Sequence, residues 1–170
     1  AWRGVADSLA LRLKHSDQAL VRQGLPAQPI ARRVFELLEQ LRVESLVADC
    51  HPGVRRNLLQ RFEQWSQQFL DAGQAEGHVG LLLFTLAQMS WMLLCGGRAG
   101  EQTEMLIEAP RLSLLGHFGA AFGLMRRCRH DQLAFTGHAL LIAAKAQELI
   151  EHLDAELLGN DERKVSDIAE

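Results

Sequence analysis

Seven His and three Cys (Cys50, Cys95 and Cys128) are the residues that could hold a metal. Only Cys50-His51 and Cys128-x-His130 lie close together along the chain. Neither has the Cys-x-x-Cys or His-x-x-x-His spacing that presents two ligands to one ion. The reading is therefore no metal, with buried thiols beside surface imidazoles. No Ser stands in a G-x-S-x-G or S-x-x-K context, so no activated nucleophile is written into the chain. There is no G-x-x-x-x-G-K-[ST] loop and no G-x-G-x-x-G, hence no backbone cradle for a nucleotide. Glu36, Glu39 and Glu44 fall among Arg residues on one stretch and read as an ion-paired, solvated face rather than a general acid/base pair. No catalytic residue and no cofactor is expected.

Arginine offers a different chemistry. Arg55, Arg56 and Arg61 form one basic group, and Arg126, Arg127 and Arg129 form another. The second group falls in the last turn of a helix, where the dipole favours cations. Either group also suits an acidic protein partner. With Arg42, the candidate partner-binding residues are Arg42, Arg55, Arg56, Arg126, Arg127 and Arg129. Net charge is -3 with both signs mixed, which argues against nucleic acid as the partner. An odd, scattered set of Cys suits a reducing compartment, and the expected location is cytoplasmic. The chain opens at Ala1 without a charged-then-apolar leader and reads as a piece of a longer protein.

Helices must position these residues. Leu, Ala, Gln, Glu and Arg dominate, Tyr is absent, and no alternating apolar run is bounded by turn signals. The prediction is all-α: a single helical bundle of about six helices over residues 1–160, no sheet, then a polar tail at 161–170 that frays. Val5, Leu9 and Leu13 predict a first helix over 2–14 with an apolar stripe facing the core. Residues 16–28 read as a connector. A helix opening at Pro29 should end near Asp49, before the breaker His51-Pro52-Gly53. Helices follow over 54–71 and 78–95. A shorter one at 101–108 is interrupted by Pro110. The last two cover 112–129 and 131–158, with a stop at Gly159-Asn160.

Residues 77–97 carry no charge over the length of a membrane span. Thr85, Gln88 and Ser90 in the middle, and no Lys or Arg cluster at the flanks, favour the central helix of a bundle instead. Leu82, Leu86, Met89 and Leu93 should pack there. Gly116, Gly119, Ala120 and Gly123 place small residues at helical spacing and predict close packing against this central helix. A rival reading sets a ligand pocket beside that Gly-rich helix, with His117 or His138 as its polar groups.

Two blocks carry a resemblance. One is Arg3-Gly4-x-Ala6-Asp7-Ser8-x-Ala10-Leu11-Arg12-Leu13 with Asp17-x-Ala19-Leu20. The other is Ala31-Arg32-x-Val34-Phe35-x-x-x-Glu39-Gln40-x-Arg42-Val43-Glu44 with Gly53-Val54-x-x-Asn57-Leu58. Over residues 2–60 the chain resembles the N-terminal domain of the cobalt chelatase CobT subunit. The likeness fades from Glu63 and returns at Asp131-Gln132-x-x-Phe135. The resemblance implies a helical region that precedes an acidic linker and a von Willebrand A domain with a D-x-S-x-S motif. It also implies an AAA+ ATPase subunit and a large chelatase subunit as partners, in the insertion of cobalt into a corrin ring, with a helical accessory domain of another AAA+/von Willebrand A system as the alternative. The chain itself holds no D-x-S-x-S. On helices one and two, Asp7 and Arg42 are expected to form a clamp.

Overall fold

Runs of helix formers between breakers wind into helices. The computed structural model describes the backbone of residues 2–168 and the side chains of residues 2–156. Among them the order is α1 (Trp2–His15), α2 (Gln18–Gly24), α3 (Pro29–Glu44), α4 (Pro52–Asp71), α5 (His78–Cys95), α6 (Glu101–Arg127) and α7 (Gln132–Ile168), with no strand. The fold is all-α, with seven helices where about six are expected.

The differences have local causes. The Asp17 carboxylate accepts the Ala19 N–H at 2.8 Å and starts α2 inside the supposed connector. α3 ends at Glu44 rather than near Asp49, because the Ser45 hydroxyl donates back to the Arg42 carbonyl at 2.6 Å. Pro110 does not interrupt α6, which runs unbroken for 27 residues. A Pro inside a helix costs about 3 kcal/mol. Here Ile107 and Leu114 hold both flanks in the core. α7 passes through the expected stop at Gly159-Asn160. One interior Gly costs only about 1 kcal/mol, less than a helix anchored upstream needs to break. The frayed tail expected over 161–170 falls outside the residues whose side chains are described.

α5 is one of the core helices rather than the central one: it packs chiefly on α3 and α6, whereas α3 packs on α1, α5 and α7. Leu82, Phe84, Leu86, Met89, Trp91 and Leu94 are buried, and Leu93 is half-buried. α5 is long and apolar enough to cross a membrane by length and composition, yet its polar groups are satisfied within the bundle. Thr85 donates to the Leu81 carbonyl and Ser90 to that of Leu86, each at 2.7 Å, and Gln88 donates to the Ser66 hydroxyl at 2.6 Å. Phe62 of α4 stacks on Trp91 with ring centroids 4.4 Å apart. α3 packs chiefly on α7. Val34, Phe35, Leu38 and Leu41 meet Phe135, Ala139, Ile142, Ala143, Ala146 and Ile150 along that seam.

α1 reverses its expected orientation. Val5, Leu9 and Leu13 face solvent, with Leu13 84% exposed and Trp2 88% exposed. Gly4 and Ser8 face inward. The buried carboxylate of Glu44 needs donors, and Ser8 supplies one at 2.7 Å. Asn57 of α4 donates to Asp7 at 2.7 Å. These polar ties outweigh the apolar stripe because an unpaired buried carboxylate would cost several kcal/mol.

The glycines separate accordingly. A Cβ on Gly4 would collide with the Asn57 carbonyl oxygen and press on Arg61. Gly116, Gly119 and Gly123 have nothing within 4 Å of a Cβ, so the small-residue stripe of α6 does not pack tightly on α5 as expected. Gly4→Ala is therefore expected to destabilise by about 1–3 kcal/mol by prising α1 from α4. Gly116→Ala should stabilise by up to about 1 kcal/mol through helix propensity. Opposite shifts of the urea midpoint check the pair.

Candidate functional site

Arg42 sits beneath the site and is 1% exposed. Its Nε and Nη2 grip Glu39 at 2.7 and 2.8 Å, the bidentate fork that suits Arg. Nη2 also donates to the His15 carbonyl at 2.7 Å, and Nη1 to that of Arg129 at 3.4 Å. The guanidinium lies 5.8 Å from the Phe135 ring centroid. Glu39 accepts from Ser16 at 2.6 Å and from Gln132 at 3.3 Å. Arg42 thus caps the orphan carbonyls at the end of α1 and in the turn after α6. The expected Asp7–Arg42 clamp does not form: Asp7 is held by Asn57, and Glu39, three residues before Arg42, reaches the guanidinium first. Sealed this way, Arg42 is not on a partner-binding surface. Glu39 and Glu44 are likewise buried rather than solvated.

Above this network a cleft of about 980 Å3 opens between the α3–α4 connection, the C-terminal half of α5, and α6. Its floor is apolar: Leu58, Met89, Trp91, Leu93, Leu94 and Phe122. Gly119 and Gly123 leave part of the α6 wall without side chains. Gly96, at φ 72°, ends α5 in the left-handed turn that Gly adopts without strain. Arg55, Arg111, Arg126 and Arg129 line the cleft with His130. A second hollow alongside shares Arg126, Arg129 and His130 and adds Arg127.

The two basic groups therefore converge. Arg55 comes from α4 and Arg126 from the end of α6, and both face one space. Arg56 is exposed and lines neither hollow. Arg61 pairs with Glu44 at the end of α3 and lines neither hollow. Arg55 pairs with Asp49 at 2.8 Å, and Arg111 with Glu104 at 2.6 Å. Among the described residues no carboxylate lies within ion-pair reach of Arg126, Arg127 or Arg129. Arg111 and His130 were missed as partners of these groups. Arg111 stands alone after Pro110, and only the continuity of α6 carries it to the cleft.

Two of the three thiols are held away from the thiolate form. Burial, and then the charge of Glu44, push the Cys95 thiol up to about 12. Burial also raises Cys128. Cys50 Sγ lies 3.2 Å from His51 Nδ1 at the surface. No three His, Cys, Asp or Glu side chains gather as a metal site among the described residues. His117 and His138 do not line the cleft; its imidazole is that of His130.

The whole chain, residues 1–170, matches the family model described as cobalamin biosynthesis protein CobT. The chain belongs to the CobT family. The match extends well past residue 63, where the likeness of the two blocks fades, and it brings a role in cobalamin biosynthesis. Comparison with curated proteins and with solved structures gives no match. The CobT residues that carry the likeness now have a place. Glu39, Arg42, Gln132 and Phe135 form the buried network, and Gly4, Asp7, Ser8, Gln40, Glu44 and Asn57 form the joint of α1 with α3 and α4.

Proposed function

We propose that this chain is the non-catalytic helical interaction domain of a CobT-like accessory subunit in the cytoplasm. It works with an AAA+ ATPase subunit and a large chelatase subunit in inserting cobalt into a corrin ring. The observation that carries this reading is the reversal of α1. A helix that turns its polar side inward and holds Trp2, Val5, Leu9 and Leu13 to solvent presents a contiguous apolar strip. Strips of this kind mark protein contact surfaces. The strip runs along the helix that holds the first resemblance block, with Leu13 among the matching residues, and the ATPase subunit is the partner we assign to it.

Calorimetric titration with the purified ATPase subunit tests the reading. Leu9→Asp and Leu13→Asp are expected to weaken binding at least tenfold while the helical circular dichroism stays unchanged, since both side chains are more than half exposed. Equal affinity of both variants and the parent chain would remove the basis for the proposal.

A further inference from the structure

The charge of the chain is strongly polarised. Residues 148–170 hold eight acidic and two basic residues, a net of -6, against 16 basic and 13 acidic residues in 1–147, a net of +3. The acidic stretch begins where α7 leaves the core. Ile150 is buried, whereas Glu151, Asp154 and Glu156 are exposed. At 1.5 Å per residue, the 37 residues of α7 span about 55 Å.

The described part of the acidic end, up to Glu156, lies away from the arginine cleft of its own chain. Asp154 lies against His78 at 2.7 Å, at the first residue of α5. The cleft is built on the last residues of the same helix, Met89 to Cys95. The rise of α5 from His78 to Met89–Cys95 separates the two by about 17–26 Å. A second copy placed antiparallel removes the separation. Its acidic end then meets this cleft, while its own cleft meets this chain's acidic end. Such a self-complementary contact is what a two-fold dimer needs.

We infer that two copies pair antiparallel, each seating the acidic end of its α7 in the arginine-lined cleft of the other. The chemistry on both sides fits. Arg126, Arg127 and Arg129 have no carboxylate partner within their own chain among the described residues. The bare wall at Gly119 and Gly123 lets a helix backbone approach closely, and the Met89 and Met92 side chains adapt to its apolar side. The contacts the acidic end makes at home are solvent-exposed: Asp154 with His78, Glu156 with His152 at 3.2 Å, and Glu151 with Gln147. Surface contacts of that kind give way at little cost.

Sedimentation equilibrium of the full chain at 0.05 and 0.5 M salt tests this. The expected mass at low salt is twice the 19.0 kDa of the chain, with association at least tenfold weaker at high salt. Arg126→Glu with Arg129→Glu makes one set; Glu151→Lys with Glu156→Lys makes the other. Each set alone is expected to be monomeric: the first puts two carboxylates where the cleft had two free guanidiniums, and the second turns the exposed 151–156 segment from a net of -3 to +1, so the contacting surfaces then repel. An equimolar mixture should dimerise again. A monomer at every salt would overturn the inference. So would a dimer that survives either set, or a mixture that stays monomeric. ATPase-subunit binding measured on the monomeric variants separates this result from the proposed function, because it uses the α1 face.

Discussion

Arg42→Met is expected to destabilise the chain by about 3–5 kcal/mol, the range for removing one partner of a buried ion pair. The loss is not a lost attraction alone. Glu39, itself 1% exposed, is left as a buried carboxylate facing only Ser16 and Gln132. The carbonyls of His15 and Arg129 lose their donor as well. Glu39→Gln added to Arg42→Met should recover part of the stability, because a neutral amide costs less to bury than a carboxylate. It should not recover all of it, since neither substitution restores a donor to the two carbonyls. Urea unfolding of the single and double variants measures the coupling. Additive effects would mean that the two side chains do not act as one unit.

The class of the elements, and their number to within about one, could be read from the sequence because helix formers and breakers act locally. Gly96-Gly97 and His51-Pro52 end and begin helices where they stand. The orientation of α1 could not. An apolar stripe states which face could be buried, and tertiary demand decides whether it is. Here the demand comes from Glu44, 36 residues beyond Ser8. Arg42 shows the same limit. Its spacing from Glu39 made the intrahelical pair available, but the choice between Glu39 and Asp7 depends on Asn57, which takes Asp7 away. The return of the family likeness at Asp131-Gln132-x-x-Phe135 has its cause in this network as well. Asp131 caps the start of α7 by accepting the Ala134 N–H at 3.1 Å, Gln132 reaches Glu39, and Phe135 lies beside the Arg42 guanidinium. For the cleft, the sequence named both basic groups and not their meeting. That meeting depends on α6 continuing through Pro110, where a local breaker rule points the other way.

Leu86→Ala should lower stability by about 2–5 kcal/mol, and Leu9→Ala should hardly change it. Both residues belong to apolar helical stripes, and the two substitutions delete the same atoms. Leu86 is 0% exposed at the middle of α5, within the main core cluster. Its deletion leaves a cavity between packed helices that cannot collapse freely, so the cavity adds to the lost transfer free energy. Leu9 is 57% exposed, so its deletion opens no cavity and returns little area to water. The comparison also distinguishes the two readings of an uncharged 18-residue helix. In a bundle, the urea midpoint of Leu86→Ala falls at unchanged slope. In a lipid-facing helix, a Leu-to-Ala change in aqueous unfolding would register under about 0.5 kcal/mol, because the side chain would have no protein neighbours to lose. Near-equal values for Leu86 and Leu9 would therefore place α5 outside the core, and with it the floor of the arginine cleft that Met89, Trp91 and Leu94 provide.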